Sequence, residues 1–110
     1  MTNTIVKKTR IIKKITLVFR DDPGHAWLKV SRKVLEAAGV AADISRFSYQ
    51  RREHVYLEED CDAPKLLDAL QKAGVVVRIK EKSTNRQSKI RSYDCYINRV
   101  SYKTCNKVGP

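Results

Sequence analysis

The sequence predicts an α+β fold in which the elements follow the order βαββαβ, with an extra N-terminal strand before this unit and a β segment after it. Two observations predict it. Short runs of β-branched and aromatic residues recur along the chain, and between them lie two stretches with helical spacing of apolar residues and capping residues at their ends. This order is the split βαβ pattern of a small ferredoxin-like sandwich. We expect residues 1–110 to form a single domain.

The first half of the chain is expected to contain a hairpin followed by a helix. The sequences "KITLVF" (14–19) and "HAWLKV" (25–30) are typical of strands, and "DDPG" between them is typical of a turn. Ser31 is a suitable N-cap for a helix over "RKVLEAA", and Gly39 would end that helix. Alternation would give one face of the first strand Ile15, Leu17 and Phe19, and the other face Thr16, Val18 and Arg20.

The second half is expected to contain another hairpin and a longer helix. The sequences "RFSYQ" and "HVYLEE" are predicted strands joined by the basic tip "RRE". In "DCDAPKLLDALQKAG", Asp62 is the expected N-cap and Gly74 the expected stop. "VVVRIKEK" predicts a further strand, residues 83–92 a loop, and "YDCYINRVSY" a final strand or hairpin. The basic segment 1–13 and the tail 104–110 could be flexible.

The net charge of +11 is concentrated at the two ends of the chain. Residues 1–20 carry six basic side chains and no acidic ones, and residues 75–110 carry nine basic and two acidic ones. If these segments are neighbours in space, they form one basic face that attracts polyanions. The alternative is that the charge serves only solubility.

The sequence predicts neither an enzyme nor a cofactor. His25 beside Asp21 and Asp22 could be a general base, but a turn held by an Asx-type bond explains the same residues. The three cysteines are odd in number and lack CxxC spacing, so we expect no metal site and no disulfide framework. Acidic neighbours should raise the pKa of Cys61 and disfavour a reactive thiolate.

Nucleic-acid binding through phosphate contacts is the first functional hypothesis. Tyr93, Tyr96 and Tyr102 could also stack on the bases of a single strand, and at least Tyr96 is expected to be partly exposed. The candidate contact residues are the cations of the two basic segments and one tyrosine: Lys7, Lys8, Arg10, Lys13, Lys14, Arg78, Lys80, Lys82, Arg86, Lys89, Arg91, Tyr96 and Arg99.

The second hypothesis is a protein-binding inhibitor of a host defence system, of the anti-CRISPR kind. The basic surface would then cover an acidic protein surface or compete for a nucleic-acid channel, with Trp27 and the tyrosines as anchors. The partner would be nucleic acid in the first case and a host protein or nucleoprotein complex in the second, and the chain could form a homodimer. No apolar run is long enough to span a bilayer and no signal peptide is apparent, so we expect a cytoplasmic protein.

Part of the chain, Trp27 to Glu59, resembles the looped-hinge segment of AbrB/SpoVT-type DNA-binding proteins. "WLKVSRKVLEAAGV" is similar to the strand and helix of that family, and "FSYQRREHVYLEE" to its hairpin. The chain departs from the family at "VSR" (30–32) and at "AD" (42–43), where the family favours Ile-Pro-Lys and Gly-Asp. The resemblance implies a strand-swapped dimer on duplex DNA, with these residues as contacts: Lys29, Arg32, Lys33 and Arg46.

A longer stretch, Asp22 to Tyr96, resembles small uncharacterised proteins of bacteriophages and plasmids. The residues that carry this resemblance are "DPGHAWLKV", "SYQRREHVYLEEDCDA" and "IRSYDCY". It implies an accessory protein of a mobile element and carries no biochemical role with it.

Overall fold

The computed structural model describes residues 13–98. Within this range the chain forms a six-stranded mixed sheet and two α-helices, so the predicted α+β class is confirmed. The elements are β1 (Lys14–Asp21), β2 (Ala26–Ser31), α1 (Arg32–Ala38), β3 (Tyr49–Arg51), β4 (His54–Glu58), α2 (Ala63–Lys72), β5 (Val76–Ser83) and β6 (Asp94–Cys95), with 3-10 helices at Ala41–Asp43 and Lys89–Ser92. The predictions for residues 1–12 and 99–110 lie outside the described residues.

The strands lie in the order β5-β1-β2-β4-β3-β6. β1 and β5 are parallel, and every other pair of neighbours is antiparallel. The ferredoxin-like order is not confirmed, because β1 lies between β5 and β2, which would be adjacent in that order. The predicted β1–β2 hairpin is present, and its short connection keeps the two strands side by side. The crossover from β4 through α2 to β5 therefore passes both of them.

Both helices end where the sequence predicts, but only α1 has the predicted side-chain cap at its N-terminus. Ser31 Oγ accepts a hydrogen bond from the backbone N–H of Val34 at 3.3 Å, so it is the N-cap of α1. Asp62 occupies the N-cap position of α2 but makes no side-chain capping bond. Its buried carboxylate instead accepts bonds from the hydroxyls of Ser45 and Ser48, which tie the segment before β3 to α2. The expected capping role of Asp62 is therefore wrong.

The core lies between the sheet and the two helices. Apolar side chains of β2 and β4 meet those of α1 and α2 there: Leu28, Val30, Leu35, Val55, Leu57 and Leu66. Because side chains alternate along a strand, the residues between them point to the opposite face of the sheet. Neither α-helix of residues 13–98 covers that face, which we call the open face.

The loop predicted over residues 83–92 is replaced in the structure by an ordered segment, residues 84–93, which crosses the open face and which we call the strap. Its 3-10 helix places Ile90 in a buried position against Trp27 and Tyr56. Ser88 Oγ accepts from the backbone N–H of Ile90 and starts this helix. After the strap the chain makes only the two-residue strand β6, which pairs with β3.

Candidate nucleic-acid interface

Strand register decides which cations share the open face. Thr16 of β1 stands opposite Arg78 of β5, and the same pairing recurs at every second residue. The intervening Leu17 belongs to the helix-covered core, and paired residues of neighbouring strands point to the same side. These cations of β1, β2 and β5 therefore point to the open face: Lys14, Arg20, Lys29, Arg78, Lys80 and Lys82.

The strap adds two exposed cations, Arg86 and Lys89, on the same side. We call these eight residues the basic face. The acidic residues of β1 and β5, Asp21 and Glu81, have the alternate register and point to the other side of the sheet. Within residues 13–98, no cation of the basic face takes part in an ion pair. Their charge is therefore free to act on a ligand.

The parallel pairing of β1 with β5 brings the two basic segments of the sequence together, as the charge distribution suggested. Lys14 comes from the first segment, and the cations of β5 and the strap come from the second. Lys13 is exposed directly before β1, and its carbonyl accepts from Val76 N at 2.8 Å. Four further candidates lie outside the described residues: Lys7, Lys8, Arg10 and Arg99.

Arg91, a candidate phosphate contact, is instead used inside the protein. Its guanidinium donates from Nε to Asp22 Oδ2 at 2.7 Å and from Nη2 to Asp22 Oδ1 at 2.9 Å. The Asp22 side chain is fully buried, and the Arg91 guanidinium also lies over the ring of Trp27. The prediction for Arg91 is corrected, because a cation in a bidentate pair with a buried carboxylate has little charge left for phosphate.

Asp22 is the anchor of the strap. Besides the two bonds from Arg91, it accepts from the backbone N–H of Ser88 in the strap, and from those of Gly24 and His25 in its own turn. Arg91, and then these N–H groups, hold the pKa of the Asp22 carboxyl far below its usual range. The bonds to Gly24 and His25 form the predicted Asx-type turn, and it is the backbone of His25, not its ring, that contacts the carboxylate.

Tyr96, expected to be partly exposed for stacking on bases, is buried with 4% of its surface accessible. Its hydroxyl donates to the carbonyl of Ala41 at 2.6 Å, and its ring lies under the guanidinium of Arg32. The expectation was wrong because Asp94 pairs with Gln50, which in turn pairs with Val55 of the core, so the side that Asp94 and Tyr96 share is the helix-covered one.

Aromatic side chains on the open face are also covered. Trp27, Tyr49 and Tyr56 point to this side, and the strap lays Ile90 and Tyr93 over them. We call these five residues the aromatic cluster. Trp27 keeps 2% of its surface accessible, and burial raises the pKa of Tyr56, with a further contribution from Tyr93. The rings of Trp27 and Tyr56 are therefore not available for stacking on bases, and those of Tyr49 and Tyr93 are half-buried.

A cleft of about 350 Å³ lies at the edge of the aromatic cluster, lined by His25, Phe47, Glu58 and Cys61 among others. His25, Glu58 and Glu59 place ligand atoms within 4.8 Å of one another and are the group in residues 13–98 that could hold a metal ion. Glu58 Oε1 is already occupied by the backbone N–H groups of Asp60 and Cys61. Surface carboxylates of this kind are common without a metal, and we assign none.

The pKa of the Cys61 thiol is raised, which is the direction that the sequence predicts. Desolvation raises its pKa, and the carboxylate of Glu58 and the charges of Asp62 and Asp60 raise it further. A thiol shifted in this direction is a poor nucleophile at neutral pH.

The residues implied by the looped-hinge resemblance are dispersed. Lys29 belongs to the basic face, whereas Lys33 and Arg46 are exposed elsewhere. Arg32 is buried and donates to the Ile97 carbonyl and to Gln50 Oε1, at 3.0 and 2.8 Å. Its guanidinium is therefore a structural link between α1, β3 and the chain after β6.

The list of candidates derived from charge alone lacked Arg20. The signal for it was present, since alternation in the first strand already places Arg20 opposite the apolar side chains. What the sequence could not supply is the parallel register that sets Arg20 beside Lys82.

Comparison with known proteins yields no match: no family model, no curated protein and no solved structure is significantly similar to the chain. Neither helix in the described range is long and apolar enough to cross a membrane.

Proposed function

We propose that this protein binds nucleic acid through its basic face, chiefly by contacts to phosphates. The observation that carries the proposal is a set of eight cations on the sheet face that neither α-helix covers. None of them is paired with a carboxylate in residues 13–98. Lysine and arginine in such an array release counterions from the phosphate backbone when they bind it. Phosphate contacts of this kind carry no sequence preference of their own.

The chemistry of the face favours backbone contacts over base contacts. The rings that could stack on bases lie under the strap, whereas Arg78, Lys80 and Lys82 are exposed along one strand. We propose further that the protein acts as a small accessory protein of a phage or plasmid in the cytoplasm of its host. The proposal involves no enzymatic step and no cofactor.

The test is a salt titration of binding to a labelled mixed-sequence duplex, followed by fluorescence anisotropy. Replacing Arg78, Lys80 and Lys82 together by alanine should lower the slope of log K against log salt by about 2.7, since each lost phosphate contact removes about 0.9. The matched control removes the same net charge elsewhere, with Lys33→Ala, Arg46→Ala and Lys72→Ala, and should keep most of the slope. Greater loss in the control set would overturn the assignment to the basic face.

A second candidate is the inhibitor that binds a host protein or nucleoprotein complex. It is favoured by the free outer side of β5, which is an edge of the sheet and exposes Val76 on the side of the cations and Ile79 on the opposite side. An acidic strand of a partner could pair there. Pull-down from host lysate with and without nuclease separates the two functions, because capture that survives nuclease treatment requires a protein surface.

A further inference from the structure

The strap and the open face enclose a cavity of about 290 Å³ at the border of the basic face. Three cations line it: Arg20 from β1, and Arg86 and Lys89 from the strap. The remaining lining comes from two tyrosines and from neutral residues of the strap, and no carboxylate contributes. The charged residues that line the cavity are therefore all cations.

Arg20, one of the residues that line this cavity, has an unsatisfied donor. Its Nε is buried and has no hydrogen-bond partner within the described range. Buried donors are nearly always paired in folded proteins, so an unpaired cationic one is a position where an acceptor is missing. Arg86 and Lys89 are exposed, so one half-buried cation and two exposed ones line the cavity.

The cavity is preformed because the strap is pinned on its far side. Asp22 holds the strap through Ser88 N and Arg91, and Ile90 is buried beside it. These bonds use both oxygens of the Asp22 carboxylate, which consequently does not compete for the cations of the cavity. Arg20 also stands opposite Lys82 in the β1–β5 pairing, so the cavity is continuous with the row of cations on β5.

We propose that this cavity binds a phosphate group, with Arg20, Arg86 and Lys89 as its donors. The proposal rests on the proposed function: the phosphate belongs to a nucleic acid whose neighbouring phosphates lie along β5. A cavity of this size is at the lower limit of small-ligand sites, which span about 300–1,000 Å³, and suits a phosphate better than a whole nucleotide. Guanidinium groups match phosphate oxygens in geometry as well as in charge.

The first measurement is a nitrogen-proton NMR titration of the whole chain with inorganic phosphate at constant ionic strength. We expect saturable shifts of the Arg20 side-chain Nε–H and of the strap amides. Lys89→Ala, an exposed change, should weaken this binding by about fivefold or more, the loss of one charge-assisted contact. Lys33→Ala, which removes the same charge from an exposed position on α1 away from the basic face, should leave it unchanged. Non-saturating shifts, or equal effects of the two variants, would overturn the cavity site.

A second measurement identifies the source of the phosphate. Duplexes with a 5′-phosphate or a 5′-hydroxyl are compared on the wild-type chain and on Arg20→Gln, whose fold is checked by its NMR dispersion. Tighter binding of the phosphorylated duplex, abolished by Arg20→Gln, assigns a terminal phosphate. Equal binding of both duplexes, weakened equally by Arg20→Gln, assigns an internal phosphodiester. An unchanged affinity in Arg20→Gln contradicts the proposal.

The two proposals fail in different ways. Phosphate binding in the cavity without any nucleic-acid binding would remove the proposed function and keep the anion site. Nucleic-acid binding that depends on Arg78, Lys80 and Lys82 but not on Arg20 or Lys89 would keep the function and remove the site.

Discussion

The basic face and the aromatic cluster lie side by side on the same open face of one sheet, but the strap covers the cluster and leaves the cations of β5 exposed. The strap covers the aromatic cluster and leaves Trp27 with 2% of its surface accessible. Across β1 and β5, by contrast, Arg78, Lys80 and Lys82 have no covering layer and no ionic partner among the described residues. One region is built like a core, and the other like a binding surface.

The difference teaches that stability and binding are separable on this face. Burial of apolar area stabilises a fold, whereas exposed cations contribute little to it and act mainly on ligands. Changes to the aromatic cluster or its anchor should therefore act mainly on unfolding, and on binding only through Arg86 and Lys89, the two cations of the basic face that the strap carries. Changes to the basic face should do the reverse.

The largest effect is expected from Asp22→Ala, which removes the anchor of the strap. Arg91 would lose its bidentate partner, and Ser88 N and the turn N–H groups would lose their acceptor. We expect the melting temperature to fall by about 10 °C, as is typical when several kinds of stabilising contact are lost together in a domain of this size. Trp27, the single tryptophan of the chain, should become accessible to acrylamide quenching.

The matched control is Asp68→Ala, which breaks the exposed pair between Asp68 and Lys72 on α2. Its melting temperature and quenching should stay near those of the wild type, because exposed pairs contribute little. Equal effects of the two substitutions would show that Asp22 does not anchor the strap.

The close approach of Arg91 Nη2 to Gly24, where an added Cβ would lie 2.8 Å away, predicts that Gly24→Ala loosens the same contact.

A smaller effect is expected from Ile90→Ala, which shortens the apolar side chain that the strap inserts into the aromatic cluster. The free energy of unfolding should fall by about 2 kcal/mol, at the low end for buried Ile→Ala because the strap can partly close the gap. Val76→Ala, half exposed on β5, is the control and should change it by less than about 0.5 kcal/mol. Urea denaturation measures both. A loss of salt slope in Ile90→Ala greater than about 1.8, the share of the two strap cations Arg86 and Lys89 at about 0.9 each, would contradict the separation of the two regions.

Local features of this fold were predictable because they depend on neighbouring residues. Ser31 and Gly39 bound α1 as capping chemistry predicts, and the "DDPG" turn joins β1 to β2. The position of β1 inside the sheet was not predictable, because strand order depends on contacts between residues far apart in the chain. The pairing of β1 with β5 is of this kind.

The candidate site likewise combines local features, which the sequence predicts, with long-range contacts, which it does not. Arg78, Lys80 and Lys82 lie on one side of β5 because side chains alternate along a strand, which is a local feature. The roles of Arg91 and Tyr96 could not be derived, because each depends on a distant partner, Asp22 in one case and Ala41 in the other. The cationic cavity at Arg20 arises only once the strap is folded over the sheet.

The smallest expected effect is a change in the pH dependence of stability. The pKa of Asp22 is lowered in the folded protein by Arg91 and the surrounding N–H groups. At pH values between the folded and the unfolded pKa, the unfolded chain binds a proton that the folded one does not. The stabilisation is therefore fully present above about pH 5 and is lost as pH falls below that. Burial alone would raise the pKa of Asp62, but bonds from Ser45 and Ser48 outweigh it, so Asp62 acts in the same direction.

Asp22→Asn isolates the part of this dependence that comes from the strap. Thermal unfolding between about pH 6 and pH 3 should show a shallower fall of melting temperature than the wild type, since about one fewer proton is taken up on unfolding. Asp68→Asn, exposed on α2, should reproduce the wild-type curve. Because asparagine cannot titrate, an unaltered slope in Asp22→Asn would mean that the acid sensitivity arises elsewhere, and the carboxylate of Asp62 would then be the next to substitute.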